Sequence, residues 1–181
     1  MTDRELIEGC IRNERSFQEA LFKRFAGKMK AVCMRYVNNS DDADDVLQEG
    51  FIKIFNNIGK FGFEGSFEGW VRRIMVNTAL TRISKKNLSA EVTLVHDHYE
   101  VSDWNDAIAD ISAKELRAFI NTLPQGYKIV FNMYVVEGFS HKEIAQYLNI
   151  SEATSRSQLL KARLALQQLI KKSKIIYSHA G

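Results

Sequence analysis

Within the stretch Phe139 to Arg163 two helix starts lie eleven residues apart, at Ser140 and Ser151, with a tight polar break between them. That spacing is the pattern of a helix-turn-helix. Ser140 and Glu143 stand as in a capping box, where the serine oxygen and the glutamate carboxylate satisfy backbone N–H groups that the first helical turn leaves open. Ile144, Ala145 and Leu148 follow on one face, and Asn149 is of the type that tolerates the left-handed turn ending a helix. Ile150 is expected in the crevice. Ser151 caps the second helix, and Ala153, Leu159, Leu160, Leu164 and Leu166 form its apolar side.

The polar positions of that second helix include Arg156, Ser157, Gln158 and Lys161. Such a helix can enter a DNA major groove, where arginine reads guanine and glutamine reads adenine. The alternative is an ordinary helical hairpin whose polar side is only solvated. The cap, the small Ala145 where two helices must cross closely, and the basic second helix favour DNA.

The rest of the chain is expected to be helical too. One proline and ten glycines in 181 residues leave long stretches of helix formers. No segment alternates as a strand bounded by turn signals does, Glu91 to Val95 being the nearest approach. Hydrophobic residues make up 45% of the chain, enough to bury one core or two small ones. The net charge of +3 decides nothing, but its distribution is uneven. Residues 60–90 carry Lys60, Arg72, Arg73, Arg82, Lys85 and Lys86 against two acids, and residues 150–181 carry six cations against Glu152. Between them, residues 91–116 hold seven acids against Lys114. Two basic blocks suit two contacts on one polyanion, since each neutralised phosphate releases counterions. Either block alone could equally be a solvated helix end.

Met1 to Glu8 has no basic stretch leading into an apolar run, and no window approaches a membrane span, so a cytoplasmic protein is expected. Cys10 and Cys33 have no cysteine or histidine at metal spacing and are expected as reduced, apolar residues. His96 and His98 flank Asp97, which is weak evidence for a metal, and no cofactor is expected. No nucleophile–base cluster or glycine-rich phosphate loop suggests an enzyme.

From Leu6 to Ile11 and from Phe17 to Val37 apolar residues recur at helical spacing. After a break at Asn38 to Asp42 a third helix begins, with its acids at the positive end of the helix dipole. Val46, Leu47, Phe51, Ile54, Phe55 and Ile58 form one stripe; Asp45, Gln48, Glu49, Lys53 and Asn56 lie on the other side and on spacing alone are solvated. Phe61, Phe63, Ser66 and Phe67 belong to a glycine-hinged loop whose rings can stack exposed bases or plug the loop onto the core. The next helix, from Ser66 to about Ser84, is expected to bury Phe67, Trp70, Val71, Ile74 and Ile83 and to turn Arg72, Arg73, Asn77, Thr81 and Arg82 to other faces. Asn87 to about Asp106 reads as a linker. Ile111 to Leu123 turns Leu116, Phe119, Ile120 and Leu123 inward and ends at Pro124. Gln125 to Glu137 is expected as one helix through Tyr127, Val130, Phe131, Tyr134 and Val135, closed by Gly138. The last helix is expected to run to about Lys174, with a frayed tail.

Three ordered motifs, D-A-D-D-V-L-Q-E-G-F-I-K-I-F, F-E-G-W-V-R-R-I-M-V-N and L-P-Q-G-Y-K-I-V-F-N-M-Y-V-V-E-G-F-S-H-K-E-I-A, together resemble bacterial RNA polymerase sigma factors. The likeness is greatest to the small extracytoplasmic-function (ECF) group, which has only regions two and four. It implies that Asp45, Gln48, Glu49 and Lys53 dock on core polymerase, on the clamp of the largest subunit, with the flap as a further contact. It implies that Phe61, Phe63, Ser66, Trp70, Arg72, Arg73, Asn77 and Arg82 bind and help melt the minus-ten element, a flipped base entering a pocket around the aromatic loop. It implies that Ser151, Thr154, Arg156, Ser157, Gln158, Lys161 and Arg163 meet the minus-thirty-five element as duplex. An anti-sigma factor is a further implied partner. The chain departs from the family pattern at Ser155, where an apolar residue is frequent, at Gln158 and Lys161, where arginine is frequent, and at Gly50, where a larger residue is common.

The expected architecture is therefore all-α: a region 2-like domain over residues 1–88, an acidic linker over 89–109 and a region 4-like helix-turn-helix domain over 110–181. An acidic tether folded over the basic faces would lower the DNA affinity of the free chain. The expected function is that of an ECF sigma factor. The alternatives are a stand-alone helix-turn-helix regulator, which binds duplex as a symmetric dimer without polymerase, and a helical adaptor that binds proteins alone.

Overall fold

A computed structural model of the chain describes residues 1–37, 39–86 and 111–178. The linker with Glu91 to Val95, His96 and His98 lies outside the described residues, as does Asn38. Every regular element among the described residues is a helix, and the chain divides into two compact units, Met1–Ala90 and Glu91–Gly181.

The first unit contains α1 (Asp3–Ile11), α2 (Arg15–Cys33), α3 (Ser40–Asn57), a 3-10 turn (Ile58–Lys60) and α4 (Phe67–Lys86). Local chemistry starts the helices. Thr2 and Glu5 form a capping box for α1, and the Asn39 side-chain oxygen accepts the Asp42 N–H at 2.7 Å to start α3. α2, α3 and α4 pack on one another around Leu21, Phe25, Met29, Val46, Phe51, Ile54, Val71 and Met75, all buried. The stripe on α3 is inward as its spacing predicts, except that Phe55 is half-buried. α4 differs from expectation: Trp70 and Ile74 are half-exposed, whereas Met75, Val76 and Ala79 are buried. Both α2 and α3 press on α4, so its buried arc is wider than one stripe, and Trp70 and Ile74 fall at its edge. Cys10 and Cys33 are buried free thiols, and burial pushes the Cys33 thiol up to about 12.

Gly50 is explained by this crossing, because the Met75 thioether occupies the space that a Cβ on residue 50 would take. Gly50→Leu is expected to destabilise the first unit by about 1–3 kcal/mol through overpacking, measured by denaturant unfolding. Unchanged stability would show that Met75 can move aside at no cost.

The second unit contains α5 (Ala113–Thr122), α6 (Gln125–Phe131), a π turn (Asn132–Val136), α7 (His141–Leu148) and α8 (Glu152–Ser178). Ser112 and Glu115 form a capping box at α5, and Leu123, held extended before Pro124, separates α5 from α6. The single helix expected over Gln125 to Glu137 is interrupted. The Glu137 N–H donates to the Asn132 carbonyl at 2.9 Å, a five-residue step that adds a residue to the turn. The register rotates with it, so Asn132 and Met133 are buried while Tyr134 and Val135, expected inward, are exposed. Gly138, at φ +76°, closes the turn. α8 continues beyond Lys174 to Ser178 instead of fraying at Ile175. The core joins Ile120, Val130, Phe131, Met133, Ile144, Leu159, Leu166 and Ile170. Among the described residues no helix is long and apolar enough to cross a membrane.

Candidate nucleic-acid interface

In the first unit, α3 and α4 enclose a groove of about 340 Å³ lined by Lys53, Asn57, Lys60, Trp70, Ile74, Asn77, Thr78 and Thr81. Trp70 forms one wall, with its ring stacked on buried Phe67 at 5.9 Å and tilted against Phe61 at 5.7 Å. The Lys53 ammonium donates to the Thr78 hydroxyl at 3.3 Å and pairs with Glu49 at 2.7 Å. Lys53 therefore shares the groove with Trp70 and Asn77, not only the α3 side with Asp45. Two amides, two threonine hydroxyls, two ammonium groups and an indole face make a lining that can hold a planar, hydrogen-bonding ring beside a phosphate. Among the described residues no group of three His, Cys, Asp or Glu side chains is arranged to hold a metal.

The aromatic loop uses its rings in both of the ways open to it. Phe61 and Phe67 are buried plugs, whereas Phe63 is 44% exposed in a left-handed backbone conformation at φ +57°, with the Arg4 guanidinium 4.6 Å above its ring. Ser66 is exposed and its hydroxyl accepts the Gly69 N–H at 3.3 Å, capping α4. Arg73 is exposed, and half-buried Arg72 pairs with Glu68 at 3.4 Å. Lys28, 2.8 Å from Glu68, and then Arg72 hold the Glu68 carboxyl below its usual range. Arg82 bridges Asp42 at 3.1 Å and Asp45 at 2.7 Å, tying α4 to α3 across some forty residues of sequence.

On the outer face of α3, Asp45, Gln48 and Asn56 are exposed and Glu49 is half-buried. Ile52 sits among them at 60% exposure, one turn beyond Gln48. Ile52 interrupts a polar stripe, a signal visible in the sequence that hydrophobic periodicity alone does not weigh.

In the second unit, Ser140 and Glu143 cap α7, Asn149 is left-handed at φ 53° and ψ 47°, and the Ser151 hydroxyl accepts the Thr154 N–H at 2.9 Å to start α8. Ser151, Thr154, Arg156 and Ser157 are exposed, and Arg156 pairs with Glu152 at 2.9 Å. Lys161 and Arg163 are half-buried. Gln158 is turned sideways, its amide lying over Gly126 of α6. Ala153 and Leu160, expected on the apolar side, instead point outward, Leu160 at 48% exposure beside Ser157. Ser155 is fully buried, its hydroxyl 2.9 Å from Nδ1 of His141. The His141 ring stacks on Tyr134 at 4.4 Å, and burial, then Arg156, hold its pKa below the ordinary histidine value.

A helix-turn-helix in one unit and a polar, aromatic-walled groove in the other define a two-part helical nucleic-acid-binding protein. Residues 21–88 match Sigma-70 region 2 and residues 113–166 match Sigma-70, region 4, together about two thirds of the chain. The chain belongs to the sigma-70 family of RNA polymerase sigma factors, in its ECF group, whose members initiate transcription and are not enzymes. It is 24% identical over 180 residues to the RNA polymerase sigma-H factor of Pseudomonas aeruginosa, covering 93% of each chain. It is 29% identical over 183 residues to the ECF RNA polymerase sigma-E factor of Haemophilus influenzae, covering 94% of this chain and 96% of the relative. The sigma factor RpoE from Bartonella quintana, solved in complex with the anti-sigma factor NepR, shares the fold at a TM-score of 0.54 and 17% identity, over 84% of this chain and 96% of that one.

Proposed function

We propose that the two units divide promoter-directed initiation between them, with core polymerase bound through the outer face of α3. Asp45, Gln48 and Glu49 surround Ile52 there, and an exposed apolar residue ringed by polar ones is what a partner surface buries with profit to affinity. The opened minus-ten strand runs along α4 past Arg72 and Arg73, with Phe63 and Ser66 at the loop, and a flipped base enters the α3–α4 groove between Trp70, Asn77 and Lys53. That groove is the observation that carries the reading, because its lining suits a base and its walls are already in place. Arg82 serves this surface by joining α4 to α3, and meets phosphate only by leaving Asp42 and Asp45.

The first turns of α8 enter the minus-thirty-five major groove. Thr154, Arg156, Ser157 and Leu160 face the bases and backbone; Ser151, Lys161 and Arg163 flank them, and Gln158 needs to leave Gly126 to reach a base. The chain works in the cytoplasm with core polymerase, and an anti-sigma factor is the partner that holds it inactive.

Core polymerase supplemented with the chain is expected to give discrete run-off transcripts from duplex fragments on which core alone is silent. Failure of the chain to bind core polymerase contradicts the reading. Arg156→Ala is expected to cost about 1–3 kcal/mol with altered base preference if the guanidinium reads a base edge, and a uniform loss with a shallower salt slope if it touches phosphate. An unchanged promoter profile together with an unchanged affinity and salt slope rules out both roles.

A further inference from the structure

Ser155 is a polar residue with no exposed surface at the centre of the packed side of α8, flanked in sequence by outward-facing Thr154 and Arg156. A buried hydroxyl needs a partner, and here it is the imidazole of His141, from the first turn of α7. The same imidazole is clamped flat against Tyr134 of the π turn, whose exposed position follows from the rotated register there. One hydrogen bond and one ring stack thus connect the π turn, α7 and α8 at the start of the helix that faces DNA.

We infer that His141 and Ser155 are positioning residues for base reading, fixing the rotation of α8 about its own axis. The buried residues of α7 and α8 nearest in sequence to this pair, Ile144, Leu159 and Ala162, are apolar, and such packing is non-directional. They resist separation of the helices more than rotation. A hydrogen bond is directional, and weakens steeply as its angle departs from linear. A 10° roll of α8 would carry side-chain atoms about 6 Å from its axis by about 1 Å, enough to spoil a bidentate contact of Arg156 with a base edge. Phosphate contacts tolerate such a shift, because a long cation can follow the backbone. The pair therefore governs discrimination between sequences more than total affinity.

The charged groups acting on the imidazole are Arg156 and Arg163, which oppose a second positive charge, and Glu152, which favours one. All three are on α8; the π turn presents the aromatic ring of Tyr134. The imidazole is accordingly neutral at neutral pH and can accept from or donate to the Ser155 hydroxyl without adding charge to the DNA-facing surface.

The inference rests on duplex binding by α8, and its test separates the two. The full chain with core polymerase is incubated with a randomised duplex pool, and retained and total DNA are sequenced and quantified. His141→Ala and Ser155→Ala are each expected to flatten base discrimination at the best-read positions about five- to tenfold, with total DNA retained at low salt unchanged. The double variant should do no more than either single one. His141→Asn, which places a hydrogen-bonding atom near the position of Nδ1, should restore at least half of the discrimination. Circular dichroism establishes that each variant is folded, and Ser155→Ala, which removes a single oxygen, serves where a His141 variant is not. Unchanged discrimination, a proportional loss of all DNA binding, additive single effects or failure of His141→Asn to rescue overturns the inference. If Arg156→Ala also changes neither discrimination nor total DNA binding, it is the placement of α8 on the duplex that fails.

Discussion

Trp70→Ala is expected to lower initiation from duplex promoters about five- to hundredfold while leaving initiation from pre-melted templates within about threefold of the unaltered protein. The indole forms a wall of the α3–α4 groove and stands half-exposed over Phe67 and Phe61. Extruding a base costs a few kcal/mol of lost stacking, which must be recovered on the protein. Base–aromatic stacking is worth about 1–3 kcal/mol, which is the loss anticipated here. A template melted beforehand does not require that recovery, so the ratio between the two templates isolates the opening step. Phe61 and Phe67 remain as plugs of the core, and Trp70→Phe preserves an aromatic wall, so an intermediate effect is expected for it. Equal loss on both templates would mean that Trp70 only supports the fold or polymerase docking.

The cations on both surfaces share an arrangement that bears on why such a chain needs polymerase. Lys53 is paired with Glu49, Arg72 with Glu68 and Arg156 with Glu152, and these side chains are about one third to three fifths exposed. Exposed pairs of this kind are worth about 0–1 kcal/mol, so a phosphate can take the cation at little cost. The acid left behind repels the same phosphate. On the proposed reading, affinity for arbitrary DNA is thereby held down, and binding becomes useful only when several contacts are made together. Arg82 differs, since Asp42 is well covered and the bridge involves two acids, so its release to a phosphate costs more than that of the other three.

The helix-turn-helix is legible in the sequence because its signals are local. Ser140 with Glu143, Asn149, and Ser151 with Thr154 act within one turn of the backbone, and each makes the contact its residue type suggests. The Ser112–Glu115 box has the same grammar and was readable by the same rule. What escaped depends on partners distant in sequence. Nothing near Leu160 distinguishes an exposed leucine from a core one, since the decision lies with the helices packed on α8, α6 and α7 among them. Tyr134 and Val135 escape a uniform 3.6-residue period because the turn that carries them holds an extra residue. The Lys53–Thr78 contact in the α3–α4 groove and the Arg82 bridge join residues 25 to 40 apart, and hydrophobic periodicity along one helix carries no record of them.

Phe25→Ala and Phe131→Ala are expected to abolish different halves of the activity by unfolding different units. Each ring is fully or almost fully buried; Phe25 meets Phe67 edge-on at 5.7 Å under the aromatic loop, and Phe131 closes α6 within the other core. Removing a buried phenyl group costs about 3–5 kcal/mol in lost transfer energy and residual cavity. A domain of this size has only about 4–13 kcal/mol in total, and each kcal/mol lowers its midpoint by about 4–8 °C, so the affected unit should melt well below its partner. Each unit has a core built from helices that pack on one another, which leads us to expect two thermal transitions with only one displaced by each substitution. Phe131→Ala should keep the binding of core polymerase through α3 but lose duplex selectivity. Phe25→Ala should lose polymerase binding while the second unit still retains duplex DNA at low salt. If either substitution displaced both transitions equally, the two cores would be one cooperative body, and the division of labour between polymerase docking and duplex reading would have to be redrawn.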